Sequence, residues 1–248
     1  MAIFISVLNL LVNLWLLIIV YRQAVRKQLP WFVSYIAWEV LAGLEAFITR
    51  LIDRRLHDAL YWWVETIEIA LIVAAVRESF LRLFRGFTKK PGFRWSVWIV
   101  IAGVVIYAGW MAIAAPPVQH NKLGIFEVDA EFLFRWAILA IAFFSTILGL
   151  LAGESPETRE DAVIIGFGAA SAGFLAYVIS VSLWGSKYTF LTKFAPPVGY
   201  FVAAGWWIWV FSHPVAKFGF KELGMGPEDI AKAFRRSREF LGGLVKEK

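Results

Sequence analysis

The sequence predicts an all-α, polytopic membrane protein: a seven-transmembrane-helix bundle followed by a basic tail with one amphipathic helix. Three observations predict it. Seven apolar segments are each long enough to cross about 30 Å of hydrocarbon, which takes about 20 residues at a 1.5 Å rise. Hydrophobic residues make up 60% of the 248 and mean hydropathy is +0.66, whereas soluble domains lie nearer ~45–50% apolar. The chain also carries 13 tryptophans, many near segment ends, where amphipathic rings favour the membrane–water boundary.

The segments fall near 3–21, 31–52, 60–82, 95–115, 132–152, 162–184 and 194–212, so residues 1–213 form the membrane domain and 214–248 the tail. Orientation follows from lysine and arginine in the connections. Of the 25 basic residues, 18 fall on the side of the odd-numbered connections and the tail, and 7 on the other. This predicts an N-terminus outside and a C-terminus in the cytoplasm of a cell inner (plasma) membrane. The net charge of +6 is then a topology signal rather than a nucleic-acid one.

The first segment has no basic residues before it and is followed by Arg22, Arg26 and Lys27, so it reads as a retained helix. Ser6, Asn9 and Asn13 form a polar stripe in its outer half, suited to bonding a neighbouring helix. The second segment holds Glu39 near mid-membrane and Glu45 further out. Glu39, Gly43, Ala46 and Arg50 share one face and read as a close-packed seam. The third carries Glu65 and Glu68 inside its apolar run, three residues apart and therefore on one helix face. A charge near the bilayer centre costs roughly 2.5–3.5 kcal/mol, so that face must meet other helices or water. The short connection 53–59 makes the second and third helices neighbours, and depth ranking sets Glu45 level with Glu65 and Glu68.

The third segment ends in Arg77, Glu78, Arg82 and Arg85, and Lys89-Lys90-Pro91-Gly92 completes a basic third loop. Ala115-Pro116-Pro117 ends the fourth, and residues 118–131 read as the longest outer loop. His120, Glu127, Asp129 and Glu131 within it are spaced too loosely for a metal site. Arg135 opens the fifth segment, one turn inside the outer boundary. The sixth repeats Gly166, Ala169, Ala170, Gly173 and Ala176 at three- and four-residue steps, a close-packing signal. The seventh has Pro196-Pro197 in its first turn, where missing N–H groups matter least. Trp206, Trp207 and Trp209 form a boundary anchor at its inner end. In the tail, Gly226-Pro227 with Glu228 and Asp229 starts a helix. Its apolar stripe, Ile230, Phe234, Leu241 and Leu244-Val245, faces away from Lys232, Arg235, Arg236 and Arg238, as on an inner leaflet or a partner protein.

Catalytic and cofactor patterns are missing. Cysteine is absent, which removes disulfides and thiolate metal sites within these residues. The three histidines lie at loops or segment ends, and no lysine lies near the middle of the seventh segment to hold a retinal Schiff base. HExxH, GxSxG and GxxxxGK[ST] are not found. The expectation is a non-enzymatic protein with no cofactor.

Residues 160–213, with IGFGAASAG, the outer GSKYTFLTKFAPP and the tryptophan-rich end of the seventh segment, resemble a family of bacterial seven-helix integral membrane proteins of uncharacterised activity. The resemblance implies the bundle and its topology and assigns no residue role.

The functional expectation is recognition of a small ligand or partner through an outer-half polar pocket. Glu45, Glu65 and Glu68 would bind, Arg50 and Arg135 would stand near the mouth, and Asn9 and Asn13 would line a wall. The same groups could instead only fix helix register as buried ion pairs and hydrogen bonds. A structural or accessory subunit is the alternative, with the tail helix and third loop contacting a membrane-protein partner. A transporter or channel is a further one, disfavoured because seven segments do not divide into equal repeats.

Overall fold

The computed structural model describes residues 2–52, 54–84, 91–114, 122–152, 159–184 and 189–213, with single positions in the tail at 228, 232 and 235. Seven long helices occupy them: α1 Ala2–Arg22, α2 Pro30–Ile52, α3 Arg54–Leu83, α4 Pro91–Ala114, α5 Lys122–Ala152, α6 Arg159–Trp184 and α7 Thr189–Ser212. A 3₁₀ turn, Val25–Lys27, links α1 to α2. It is entered through Ala24 in the left-handed region, φ 51° and ψ 28°. Six of the seven helices are long and apolar enough to cross a membrane, α3 being the exception. The chain is a multi-pass helical membrane protein. The exception has a reason: α3 runs 30 residues and carries charge at both ends as well as Glu65 and Glu68 within it. The tail helix and most of the third loop lie outside the described residues.

Helix ends differ from the sequence expectations in two instructive places. α5 begins at Lys122, so Glu127, Asp129 and Glu131 stand on a helix rather than in an outer loop. Glu127 and Glu131 are four residues apart and share a face of it. α7 begins at Thr189, which moves Pro196 and Pro197 from the first turn to the interior. Without N–H groups, the prolines leave the carbonyls of Thr192 and Lys193, four residues earlier, without their usual helical donors.

The packing follows a ring. α1 contacts α2, α2 contacts α3, α3 contacts α6, α6 contacts α7, and α7 returns to α1. α5 lies along α6 and α3, and α4 stands outside, its one extensive partner being α5. The tightest pair is α6 with α7. A Cβ on Gly173 would fall 2.6 Å from the Ala195 carbonyl oxygen and 2.8 Å from Gly199 Cα, so the two backbones touch. A Cβ on Gly166 would collide with the Trp207 indole at Nε1. The small-residue repeat of α6 is thus a packing face, as its spacing predicts.

Towards the face where α7 ends, here the C-terminal face, the ring is filled with aromatic side chains. Trp207 is fully buried and its Nε1 donates to the Ala162 carbonyl at 2.9 Å. It is therefore a core residue rather than a boundary anchor, since Gly166 leaves the indole room against α6. Phe32 packs on Trp207 and Phe211 at ring separations of 5.1 and 5.4 Å, and Phe167 on Trp207 at 5.0 Å. Tyr35 stacks edge-on against Phe167 at 4.9 Å and forms the upper layer of this cluster.

Candidate functional site

Above the aromatic cluster, towards the face where α1 begins, the filling changes from rings to polar groups. A cavity of about 330 Å³ lies between α1, α2, α3, α5, α6 and α7. Tyr35 closes its floor, and Glu39, Glu68, Arg135 and Tyr200 supply the main polar groups of its wall. Ser6 and Asn9 of α1 and Pro196 and Pro197 of α7 stand nearer the N-terminal face.

Each polar group is held by a helix neighbour. Asn13 is fully buried; its amide donates to Asn9 Oδ1 at 3.4 Å and its Oδ1 accepts from the Tyr200 hydroxyl. The polar stripe of α1 thus bonds its ring neighbour α7. The Tyr200 hydroxyl in turn meets that of Tyr35, which also faces the Glu39 carboxyl one turn along α2. Glu39 meets Glu68 of α3. Glu68 Oε1 lies 4.0 Å from Arg135, at the edge of ion-pair range. Arg135 is held more firmly by Glu131 on its own helix, through Nη2 at 3.0 Å and Nε at 3.2 Å, and its guanidinium sits over the Phe174 ring at 5.4 Å. Side chains of α1, α7, α2, α3 and α5 therefore form one connected polar chain.

The arrangement is rich in acceptors. Glu39, Glu65, Glu68, Glu127 and Glu131 act on one another in this region, and Arg135 is the cation that acts on Glu39, Glu65 and Glu68. Glu131 takes two of the Arg135 donors, Glu39 faces Tyr35 and Glu68, and Glu68 lies at the edge of Arg135's range, while both carboxyls border the cavity. A carboxyl group can accept more than one hydrogen bond, so groups that border the cavity can also accept from a bound molecule.

Of the residues anticipated from the sequence, Asn9, Glu68 and Arg135 line the cavity and Asn13 braces its Tyr200 wall. Glu65 stands behind the lining, acting on Glu68 and on Glu127 and Glu131 of α5. Glu45 is not part of the cavity wall. The expected levelling of Glu45 with Glu65 and Glu68 fails for a reason of register. Trp38 Nε1 donates to the Val64 carbonyl at 3.3 Å, which sets the antiparallel alignment of α2 and α3. Glu45, seven residues beyond Trp38, then stands about 10 Å further toward the N-terminal face. Glu39 takes the place given to it. The Arg50 side chain lies outside the described residues.

Tyr35, Glu39 and Tyr200 are site residues beyond those the sequence singles out. Glu39 has a signal in the sequence, as a carboxyl at mid-membrane, but its face carries the spacing of a packing seam. That reading holds one turn away, where Gly43 packs on Leu10 of α1. The two tyrosines have no signal distinct from other aromatics in an aromatic-rich chain. Among the described residues no cluster of three or more acidic, histidine or cysteine side chains could hold a metal ion.

Compared with protein-family models, with curated proteins and with solved structures, the chain matches none.

Proposed function

We propose that the protein is a non-enzymatic ligand-recognition protein of a cell inner membrane, whose polar cavity takes a small molecule bearing an amine or several hydrogen-bond donors. The observation that carries this reading is the dead-ended cavity of about 330 Å³, floored by Tyr35 and walled by the Glu39 and Glu68 carboxyls. Its volume falls within the ~300–1,000 Å³ of small-molecule sites. A role confined to fixing helix register would need the same bonds but not the space between them. A channel or transporter would need a path beyond Tyr35. There the fully buried Phe32, Trp207 and Phe211 fill the bundle, which favours binding over passage.

In this reading all seven helices span the membrane and the cavity opens outside, an orientation that the charge asymmetry of the connections supports. The chain is bacterial, as its resemblance to the seven-helix family implies, and the basic tail lies in the cytoplasm. A cytoplasm-active reporter fused after Lys248 should be active, and one inserted after Asn121 inactive; the reverse pattern refutes the orientation. The ligand reading is tested by titrating the purified protein with a panel of small amines and polyols, following the thermal transition. Binding that weakens about tenfold or more in Glu39→Gln and Tyr200→Phe, with the fold retained, supports it. A panel that leaves the wild-type transition unmoved at every concentration argues for the register role.

A further inference from the structure

A second cavity, of about 500 Å³, lies on the other side of α3, between it, α4 and α5. Its wall is apolar for most of its length and it is bounded by two polar ends. Arg77 and Trp98 stand at the end nearer the C-terminal face, Thr66 and Glu127 at the other. Arg77 and Thr66 are eleven residues apart on α3, about 17 Å, close to one leaflet's share of a ~30 Å hydrocarbon core. Val105 and Trp98, 43% and 47% exposed, form a rim that leaves the groove open sideways.

The two ends differ in what they lack. At the far end Glu127 Oε1 already accepts from the Thr66 hydroxyl at 3.1 Å. At the near end the Arg77 guanidinium lies over the Trp98 ring at 4.9 Å, and its buried Nε has no hydrogen-bond partner among the described residues. The adjacent acid does not supply one, because Glu78 accepts from the Trp31 N–H at 3.1 Å and from Arg82 at 3.2 Å. A smaller void of about 180 Å³ touches Arg77 from the other side and shares Val73, Ile101 and Phe134 with the first. The cation thus rests on an aromatic face but has no ion-pair partner among the described residues. Trp31, at the start of α2, and Trp98, near the start of the α4 span, place this end at the membrane–water boundary.

We propose that this groove is a binding site for an anionic phospholipid of the adjoining leaflet, its phosphate on Arg77 and one acyl chain lying along α3 toward Thr66. The length matches a chain, the open rim admits it from the bilayer, and the unpaired guanidinium at the boundary selects a negative headgroup. Without a chain the groove would leave apolar walls short of contacts in a medium where packing, not water exclusion, holds helices together.

The test is native mass spectrometry of the full chain in mild detergent, titrated with phosphatidylglycerol, phosphatidylcholine or inorganic phosphate. One phosphatidylglycerol per chain should be retained about tenfold more strongly than phosphatidylcholine. Arg77→Gln should remove that preference, and Ala74→Phe, which fills the groove beside the cation, should remove the bound lipid. Equal retention of the two lipids by the wild type overturns the proposal, as does undiminished phosphatidylglycerol binding in Ala74→Phe. Displacement of the lipid by inorganic phosphate would make Arg77 an anion site without chain recognition and overturn it too. Should Arg77→Gln fail to fold, the lipid comparison and Ala74→Phe decide the matter alone.

Discussion

The two halves of the ring are built on opposite plans. Toward the C-terminal face, Phe32, Phe167, Trp207 and Phe211 fill the space between helices that glycines let approach closely. Toward the N-terminal face, α6 and α7 still touch at Gly173 and Gly199, but the ring as a whole opens around hydroxyl, amide and carboxyl groups and leaves a cavity. In lipid the hydrophobic effect does not drive helices together, so association rests on close packing and interhelical hydrogen bonds. The first half uses the former; the second relies on the latter everywhere except along the α6–α7 contact. A half held by packing tolerates no change of volume, whereas a half held by hydrogen bonds tolerates conservative changes and can bind. The contrast teaches where stability and recognition have been separated within one set of helices.

The contrast is broken most severely by adding bulk where α6 and α7 come closest, at Gly166 in the aromatic half and at Gly173 beside the cavity. Gly166→Leu must displace Trp207, and Gly173→Leu must separate the α6 and α7 backbones. Each should cost on the order of 3 kcal/mol or more, read as loss of the thermal transition in detergent. A wild-type transition in Gly173→Leu would mean that α6 and α7 do not meet there. Next comes removal of volume. Trp207→Ala should cost about 3–5 kcal/mol through its cavity, and Trp207→Phe less, mainly through the orphaned Ala162 carbonyl. Chemical denaturation of the two variants side by side ranks them, and the reverse order would contradict the packing account.

The polar half should respond more mildly. Tyr200→Phe removes the bond to Asn13 and should lower stability by only about 0.6–1.7 kcal/mol, the range for hydrogen bonds between membrane helices. A loss as large as that of Trp207→Ala would erase the distinction between the halves. Smallest of all should be Glu68→Gln, which keeps shape and most bonding. Its thermal transition should lie within about 1 kcal/mol of wild type, while binding of a cationic ligand falls. A loss of fold there would mean that the Glu68–Arg135 pair holds the bundle together.

The helices were legible because length and hydropathy define a spanning segment without reference to any neighbour. So was the small-residue face of α6, and so were Asn9, Asn13, Glu68 and Arg135, since a polar group in an apolar run needs a partner wherever it lies. What could not be read was register. The Trp38–Val64 bond, which exchanges Glu45 for Glu39 at the cavity, depends on how two helices slide along each other, and hydropathy does not record that. Tyr35 and Tyr200 escaped for another reason. Among 22 Phe, 7 Tyr and 13 Trp, a tyrosine whose hydroxyl serves a polar network looks like one that anchors at a boundary. Pro196 and Pro197 were misplaced because their pattern suits a helix start, and nothing local showed that α7 had begun seven residues earlier.

The position of α4 has a consequence for how the molecule opens. It has one extensive neighbour, α5, while the cavity-forming helices are joined to several. Residues such as Ile99, Ile106 and Ile113 along it are 67–73% exposed within the chain. The free energy needed to detach such an element is set by one contact surface, so α4 should part from the bundle through a low-energy local motion rather than through global unfolding. Its backbone hydrogen bonds stay within the helix in lipid, so it shifts as an intact rod. The cavity, walled by the other six helices, would keep its shape during those excursions.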